Sequence, residues 1–318
     1  MPIVSGFVNF NPNSDIPSLS GRVIFITGGT AGIGLETVKL LAVHNPGHIY
    51  FSGRNARSGN ALIEEIRNKH PDVGITFVDM DLSSMESISA ALKSFVHDRL
   101  DTLINNAGIM AQPPALSKDG YEIQFATNHL GHALLTKLLL PTMLKTAALP
   151  DSDVRIVNLT SVGYRGHPLN GISFDELDTS MNRPILGPWI RYAQSKLANI
   201  LYASELSRRY PNLTSVSVHP GVVATELVTK QTFLNRVMIY VPNWLMGVRI
   251  LEPEKGAYSQ VWCAVGARKE EVRNGAFYMP IGAESTGRLD GVARNKELAG
   301  RLWEWTEKVL KEKRGAST

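Results

Sequence analysis

At 318 residues, 43% of them hydrophobic and 19% charged, the chain has the composition of a globular protein with a large core, which excludes extended disorder away from its ends. Thirty-three basic residues against 29 acidic ones leave a net charge of +4 without any dense Lys/Arg run, so no nucleic-acid partner is indicated. A single cysteine, Cys263, rules out an intrachain disulfide and a thiolate metal cluster, and it fits a reducing, cytoplasmic setting.

In chain order, residues 1–20 contain Asn9, Asn11, Asn13, Asp15 and three prolines, so they lack the basic and apolar regions of a leader and read as an irregular arm. Residues 22–27 form an apolar strand that ends in the glycine cluster 28–34, after which Leu35, Val38, Leu41 and Ala42 recur at helical spacing. The pattern repeats with strands at 48–52, 74–78, 101–105, 154–160 and 215–219 and helices at 56–69, 85–98, 128–145 and 192–210. A seventh strand is expected at 275–279, and a closing helix at 296–313 with Leu298, Leu302, Trp305 and Val309 as its buried stripe. Short strands alternating with longer helices imply right-handed crossovers and a parallel sheet.

The expected architecture is thus α/β: one doubly wound domain over residues 21–290, a seven-stranded parallel sheet flanked by helices, with residues 291–318 closing as a helix on the same domain. Two insertions, 163–190 and 228–253, are expected to stand above the sheet, where long loops bind ligands. The apolar stretch 233–251 is broken by Asn235, Arg236, Pro242, Asn243 and Arg249, so no transmembrane helix is expected. His129, His132, His167 and His219 show no metal-ligand spacing with carboxylates, and metal binding is not expected.

The turn from Thr27 to Gly34 places glycines where the chain must leave a strand and where backbone must approach a phosphate, ahead of a helix whose amides can hold a pyrophosphate. A carboxylate at the end of the second strand would bond a ribose 2′-hydroxyl and repel a 2′-phosphate. Here that strand ends Ser52-Gly53-Arg54-Asn55, and Arg54 offers a planar fork for phosphate, which favours NADP(H) over NAD(H). Tyr192 and Lys196 lie four apart on one helix face, where the ammonium would stabilise a phenolate and lower a pKa of about 10. Ser161 follows a strand at the carboxyl edge of the sheet, beside the end of the strand that runs into Asn105-Asn106-Ala107-Gly108.

Taken together, the Thr27–Gly34 turn, Asp81, residues 105–108, Asn128, Ser161, the Tyr192/Lys196 pair and Pro220-Gly221 followed by Thr225 resemble the short-chain dehydrogenase/reductase family in its own order over roughly residues 20–285. The phrasing around residues 125–132, 195–199 and 219–223 is most similar to the retinol-dehydrogenase-like branch and its WW-domain-containing relatives. The resemblance implies a Rossmann-type fold and an oxidoreductase with Tyr192 as general acid/base. It implies Lys196 as ribose ligand and pKa depressor, Ser161 as the group orienting the substrate oxygen, and Asn128 as a kink and relay element. Cofactor contacts are then expected from Gly28, Thr30, Gly32, Ile33, Gly34 and Arg54, from Asp81 and Leu82, and from Asn106, Ala107 and Gly108. Tyr192, Lys196, Pro220, Gly221, Val223 and Thr225 complete the set, with Asp81 at the adenine and Thr225 at the carboxamide.

Two features depart from the family's compact members. Ser161 and Tyr192 are separated by the insertion 163–190, and the apolar amino-terminal anchor of the branch's membrane members is absent, so retinoid substrates and a microsomal location are not carried over. The segment holding Phe233, Val237, Met238, Ile239, Tyr240, Val241, Trp244, Leu245 and Met246 suits a cover over an apolar carbonyl or alcohol of polyketide, aromatic or terpenoid type. The same residues would suit a subunit face in a homo-oligomer or a membrane-surface contact. Two rival classes share the fold: a dinucleotide sensor or scaffold without turnover, and a lyase or isomerase using Tyr192 without redox change.

Overall fold

The computed structural model describes residues 8–229, 231–232, 235–236 and 250–315. At the centre of the sheet, β1 (Val23–Ile26) is buried along its whole length, as a strand covered on both faces must be. It pairs in parallel with β2 (His48–Gly53) on one side and β4 (Thr102–Asn105) on the other. Outside β2 lies β3 (Gly74–Asp79), and beyond β4 come β5 (Arg155–Leu159) and β6 (Thr214–Val218). β7 (Phe277–Met279) joins β6 in parallel, and β8 (Ala283–Glu284) turns back antiparallel to β7.

The order is β8-β7-β6-β5-β4-β1-β2-β3, so the seven-stranded parallel sheet expected from the sequence becomes eight strands with one antiparallel edge. Two residues of β8 are too few for an alternating pattern to register in the sequence. Strand order reverses between β1 and β4, and the crevice outside their carboxyl ends is where such sheets take ligands.

Among the described residues, seven helices of seven or more residues cover the two faces: α1 (Gly32–Ala42), α2 (Ala56–Lys69), α3 (Met85–Ala91), α4 (Gly131–Ala147), α5 (Gly187–Arg209), α6 (Pro253–Val261) and α7 (Lys296–Gly315). Alternation along each strand divides the core. Phe25, Leu103 and Ile156 pack with Leu134, Leu135, Leu197 and Leu201 on one face, while Ile24, Ile104 and Val157 pack with Val38, Leu41 and Val261 on the other.

Several boundaries differ from the sequence reading for tertiary reasons. α3 stops at Ala91 and gives a 3₁₀ turn, Leu92–Ser94, because Phe95 leaves the helix to pack on Tyr50 at 4.8 Å and His97 takes the Tyr50 hydroxyl at 2.7 Å. The insertion at 163–190 does not stand clear of the sheet: Ile172, Phe174, Leu177 and Met181 are buried in the main core. α7 buries a wider stripe than expected, with Trp303, Thr306 and Leu310 joining Leu302 and Val309 while Leu298 and Trp305 are half-buried.

The amino-terminal arm is not irregular throughout: Asn11 caps the turn Pro12–Asp15, and Phe10, Ile16 and Leu19 are buried. Val222–Val223 and Ile250–Leu251 form a separate parallel pair. The apolar residues named for the expected cover, from Phe233 to Met246, lie outside the described residues. Among the described residues no helix is long and apolar enough to cross a membrane.

Candidate active site

The chain leaves β1 through Thr27 and Gly28. Gly28 has φ +69°, and a Cβ there would stand 3.0 Å from the Ala107 Cα, so glycine is what lets the turn close on the loop after β4. A Cβ on Gly32, at φ +54°, would stand 3.2 Å from the Thr225 side chain, so the loop after β6 lies against the start of α1. A Cβ on Gly34 would run into the Gly28 carbonyl oxygen. The N-cap of α1, Ala31, makes no side-chain hydrogen bond, so the first-turn amides have no built-in acceptor. Close backbone, missing Cβ atoms and uncapped amides fit a dinucleotide pyrophosphate.

Thr30 presses on Gly53 at the end of β2, and Ile33 is half-buried with its carbonyl taking the Thr37 hydroxyl at 2.9 Å. The next residue, Arg54, is exposed and lines a cavity of about 460 Å³ with Asp79, Asp81 and Ser87. Burial raises the Asp81 carboxyl, but bonds from Ser83 and the charges of Arg54 and Lys118 outweigh it and hold the group below its ordinary value. Leu82 is buried, its carbonyl against Gly131.

At the other end of the crevice, Ser161 leaves β5 and caps the 3₁₀ turn Val162–Gly166 by accepting from the Gly163 amide at 3.1 Å. It faces Tyr192 across Gly163, where a Cβ would stand 3.3 Å from both Ser161 Oγ and the Tyr192 ring, and Tyr192 is 7% exposed. The 31-residue spacing is therefore spanned without separating the two side chains. Lys196, one turn along α5, is buried with Nζ 3.1 Å from the Leu159 carbonyl and 5.8 Å from the Tyr192 ring centre. Asn128 is buried in a π-helical turn, Ala126–Leu130, where its amide pairs with both backbone groups of Ile109 at 2.8 and 2.9 Å and donates to Ser195 Oγ at 2.9 Å. Gly108 lies between these groups, since a Cβ there would be 3.1 Å from Asn128 Oδ1 and 3.3 Å from Lys196 Nζ.

The order and spacing of these groups match known proteins. A family model described as short chain dehydrogenase matches residues 22–171. The chain is 36% identical over 313 residues to a short-chain dehydrogenase/reductase of Aspergillus calidoustus, covering 94% of this chain and 96% of that protein. The chain belongs to the short-chain dehydrogenase/reductase family. It is also 34% identical over 290 residues to retinol dehydrogenase 11 of Homo sapiens, covering 90% and 85% of the two chains, which places it in the retinol-dehydrogenase-like branch. A crystal structure of an uncharacterized protein from Mycobacterium paratuberculosis has the same fold, with a TM-score of 0.71 and 28% identity over 94% of this chain and 97% of that one. The protein is accordingly an oxidoreductase of this family, acting on small molecules.

Within this short-chain dehydrogenase/reductase, one electrostatic expectation needs correction. The sequence has Lys196 lowering the phenol, but burial dominates: Tyr192 is pushed up to about 12, eased by Ser161, and burial pushes Lys196 itself down to about 8. Asn106 is held by its side chain on the Thr27 carbonyl at 2.8 Å. Pro220 and Gly221 follow β6, with φ +94° at Gly221 leaving Leu251 3.0 Å from a Cβ, and Val223 is buried beside them. The residues expected from the sequence to contact a cofactor thus lie in three places: the Thr27–Gly34 turn, the Arg54/Asp81 cavity and the group around Lys196.

Sequence reasoning missed two sets of neighbours. Met110, Ala111 and Val228 are buried around Tyr192 with Trp189 and Leu227 half-buried beside them, and Gln231 donates to the Met110 carbonyl at 3.0 Å. Their spacing in the chain carries no local signal. The second set is Glu122 and Arg191, a buried pair at 3.3 Å; Arg191 also donates to Met181 and Gln112 carbonyls at 2.9 and 2.8 Å. Two charged residues at helix starts gave no hint that they meet. Among the described residues no three His, Cys, Asp or Glu side chains gather to hold a metal.

Proposed function

We propose that this protein is an NADP(H)-dependent carbonyl reductase or alcohol dehydrogenase for apolar substrates, with Tyr192 as its acid/base. The observation that carries the proposal is that Tyr192 and Ser161 meet around Gly163 under an apolar roof of Met110, Ala111 and Val228. When bound, the nicotinamide dinucleotide supplies or accepts the hydride. Gly28, Gly32, Gly34 and the first turn of α1 would hold its pyrophosphate, Arg54 its 2′-phosphate, and Lys196 its ribose. Asp81, Leu82, Asn106, Ala107 and Gly108 would line the adenosine side, and Pro220, Gly221, Val223 and Thr225 the carboxamide side.

The chain's own chemistry is proton management at one oxygen. A phenol pushed up to about 12 is fully protonated at neutral pH, so Tyr192 donates to a carbonyl oxygen as negative charge develops there. Ser161 adds a second hydrogen bond to that oxygen and fixes its position. Lys196, at about 8, is mostly an ammonium at pH 7, and its charge favours the phenolate left behind. Asn128 holds α5 against the loop after β4 through Ser195 and Ile109. The apolar roof excludes water and suits a hydrophobic ketone or alcohol.

The test is to follow NADPH absorbance with activated aryl and terpenoid ketones for the native protein and Tyr192→Phe. The native protein is expected to consume NADPH with a matching ketone, and the variant to bind NADPH but turn over at least about a hundredfold more slowly. A fully active Tyr192→Phe removes the residue from the mechanism. NADPH binding without turnover favours a sensor, and product without cofactor consumption favours a lyase or isomerase.

A further inference from the structure

We propose that His132 is a positioning residue that ties the dinucleotide turn to the catalytic helix through a single imidazole tautomer. The inference rests on the reading above in treating the Thr27–Gly34 turn and Tyr192 as the working parts. It also assigns a task to a histidine whose spacing in the sequence speaks only against metal binding.

His132 is buried in the first turn of α4, four residues after Asn128. Its Nε2 lies 2.8 Å from the Thr27 hydroxyl and its Nδ1 lies 3.0 Å from the Asn128 carbonyl oxygen. Thr27 settles which nitrogen carries the proton. Its oxygen already accepts the amides of Asn106 at 2.9 Å and Ala107 at 3.0 Å, so its one O–H must be given away. The other acceptor within reach, the Ile104 carbonyl, is at 3.5 Å and already takes the Thr27 and Asn106 amides. The hydroxyl therefore donates to Nε2, and the proton sits on Nδ1, donating to the Asn128 carbonyl.

The result is one directed chain. The amides of Asn106 and Ala107 donate to Thr27, Thr27 donates to His132, and His132 donates to the Asn128 backbone. From the same residue the Asn128 side chain donates to Ser195 Oγ, which donates to the Tyr192 carbonyl at 2.7 Å. The two bonds of the imidazole and the two through Ser195 are buried, so a missing partner there leaves a group without water to replace it. Removing the imidazole leaves the Thr27 hydroxyl without its acceptor beneath the dinucleotide turn and takes a donor from the Asn128 carbonyl in the helix. The first loosens cofactor contacts, and the second loosens the spacing between α4 and the Tyr192 face of α5.

A bland core histidine predicts loss of thermal stability alone. A positioning role predicts that His132→Phe, which keeps the shape, weakens NADPH binding and lowers kcat by about tenfold each, the size of one lost buried hydrogen bond, with KM for the ketone within about threefold. His132→Gln presents an N–H and a C=O at the same separation and should restore both quantities to within about threefold of native. NADPH affinity is read by nucleotide fluorescence, and turnover by absorbance.

A folded His132→Phe with native affinity and kcat overturns the proposal, as does a Gln variant no better than Phe. Independent of any variant's folding, ¹⁵N NMR of the native protein at pH 7 must find His132 neutral with its proton on Nδ1; an Nε2–H tautomer or an imidazolium overturns it. Should the native protein bind NADPH yet reduce no carbonyl, the redox reading falls while the affinity and tautomer measurements still decide His132.

Discussion

At the scale of single residues, Tyr192 is set by burial opposed by one hydroxyl. Because Ser161 is what eases its raised pKa, Ser161→Ala should make the phenol harder to ionise and also remove a donor from the carbonyl oxygen. The expected loss is roughly 10²–10³ in kcat for ketone reduction, with NADPH affinity unchanged. Native turnover in Ser161→Ala would leave the hydroxyl without a role. Arg54 is a separate test, since it is exposed and its cavity already holds Asp79 and Asp81. Replacing it by aspartate puts a third carboxylate there, so Arg54→Asp should weaken NADPH by about 2 kcal/mol, roughly thirtyfold, and NADH far less. An unchanged NADPH/NADH ratio would assign the 2′-phosphate to another group. Tyr192, Lys196, Ser161 and the glycines were legible because each is a short motif with a fixed place relative to a strand or helix. His132 was not, since its meaning comes from Thr27, 105 positions away, and from an acceptor count that only coordinates supply.

At the scale of elements, strands β1 to β6 were readable from their apolar runs, because a parallel sheet buried on both faces needs little else. Helix starts were less so. The helix carrying Asn128 begins at Ile123 behind Glu122, whose carboxylate accepts the Gln124 and Phe125 amides at 3.0 and 2.7 Å, and glutamate is not a favoured cap residue. α5 begins at Gly187 with Pro188 in its first turn, a signal present in the sequence but overshadowed by the tyrosine motif. Arg191 joins these two helix starts to the loop after β4 and to the insertion, through Glu122 and the Gln112 and Met181 carbonyls. Arg191→Met should therefore leave a buried carboxylate and two carbonyls without their cation, costing about 3–5 kcal/mol. Urea unfolding of the two proteins measures it; a midpoint shift equivalent to less than about 1 kcal/mol would mean the pair does not join these elements.

At the scale of the whole molecule, the buried histidines make acid sensitivity a property of the fold. His129, His132 and His219 are fully enclosed, and burial lowers them to about 3, 4 and 4. In the unfolded chain each titrates near about 6.5. Between that value and the folded ones, the unfolded state binds more protons, so stability is intact above about pH 6.5 and is lost as pH falls. Each group contributes a slope of about 1.4 kcal/mol per pH unit, and three together approach about 4 kcal/mol per unit at the steepest. The carboxylates held low by partners, such as Asp81 and Glu205, do not oppose this, because they stay ionised through that window. Glu122 acts in the other direction, as burial holds it above its ordinary value and its protonation favours the folded state on acidification, but it is one group against these three and the half-buried His48, which burial also pushes down to about 4. Against a typical total of about 5–15 kcal/mol, about 2 kcal/mol lost per enclosed imidazole by pH 5 removes a large part of the stability. Thermal unfolding from pH 7.5 to 5 should show a midpoint that is flat above about pH 6.5 and falls steeply below it, and His132→Gln should flatten the fall by about a quarter. An unchanged midpoint at pH 5 would mean that water or a proton reaches these imidazoles without opening the core.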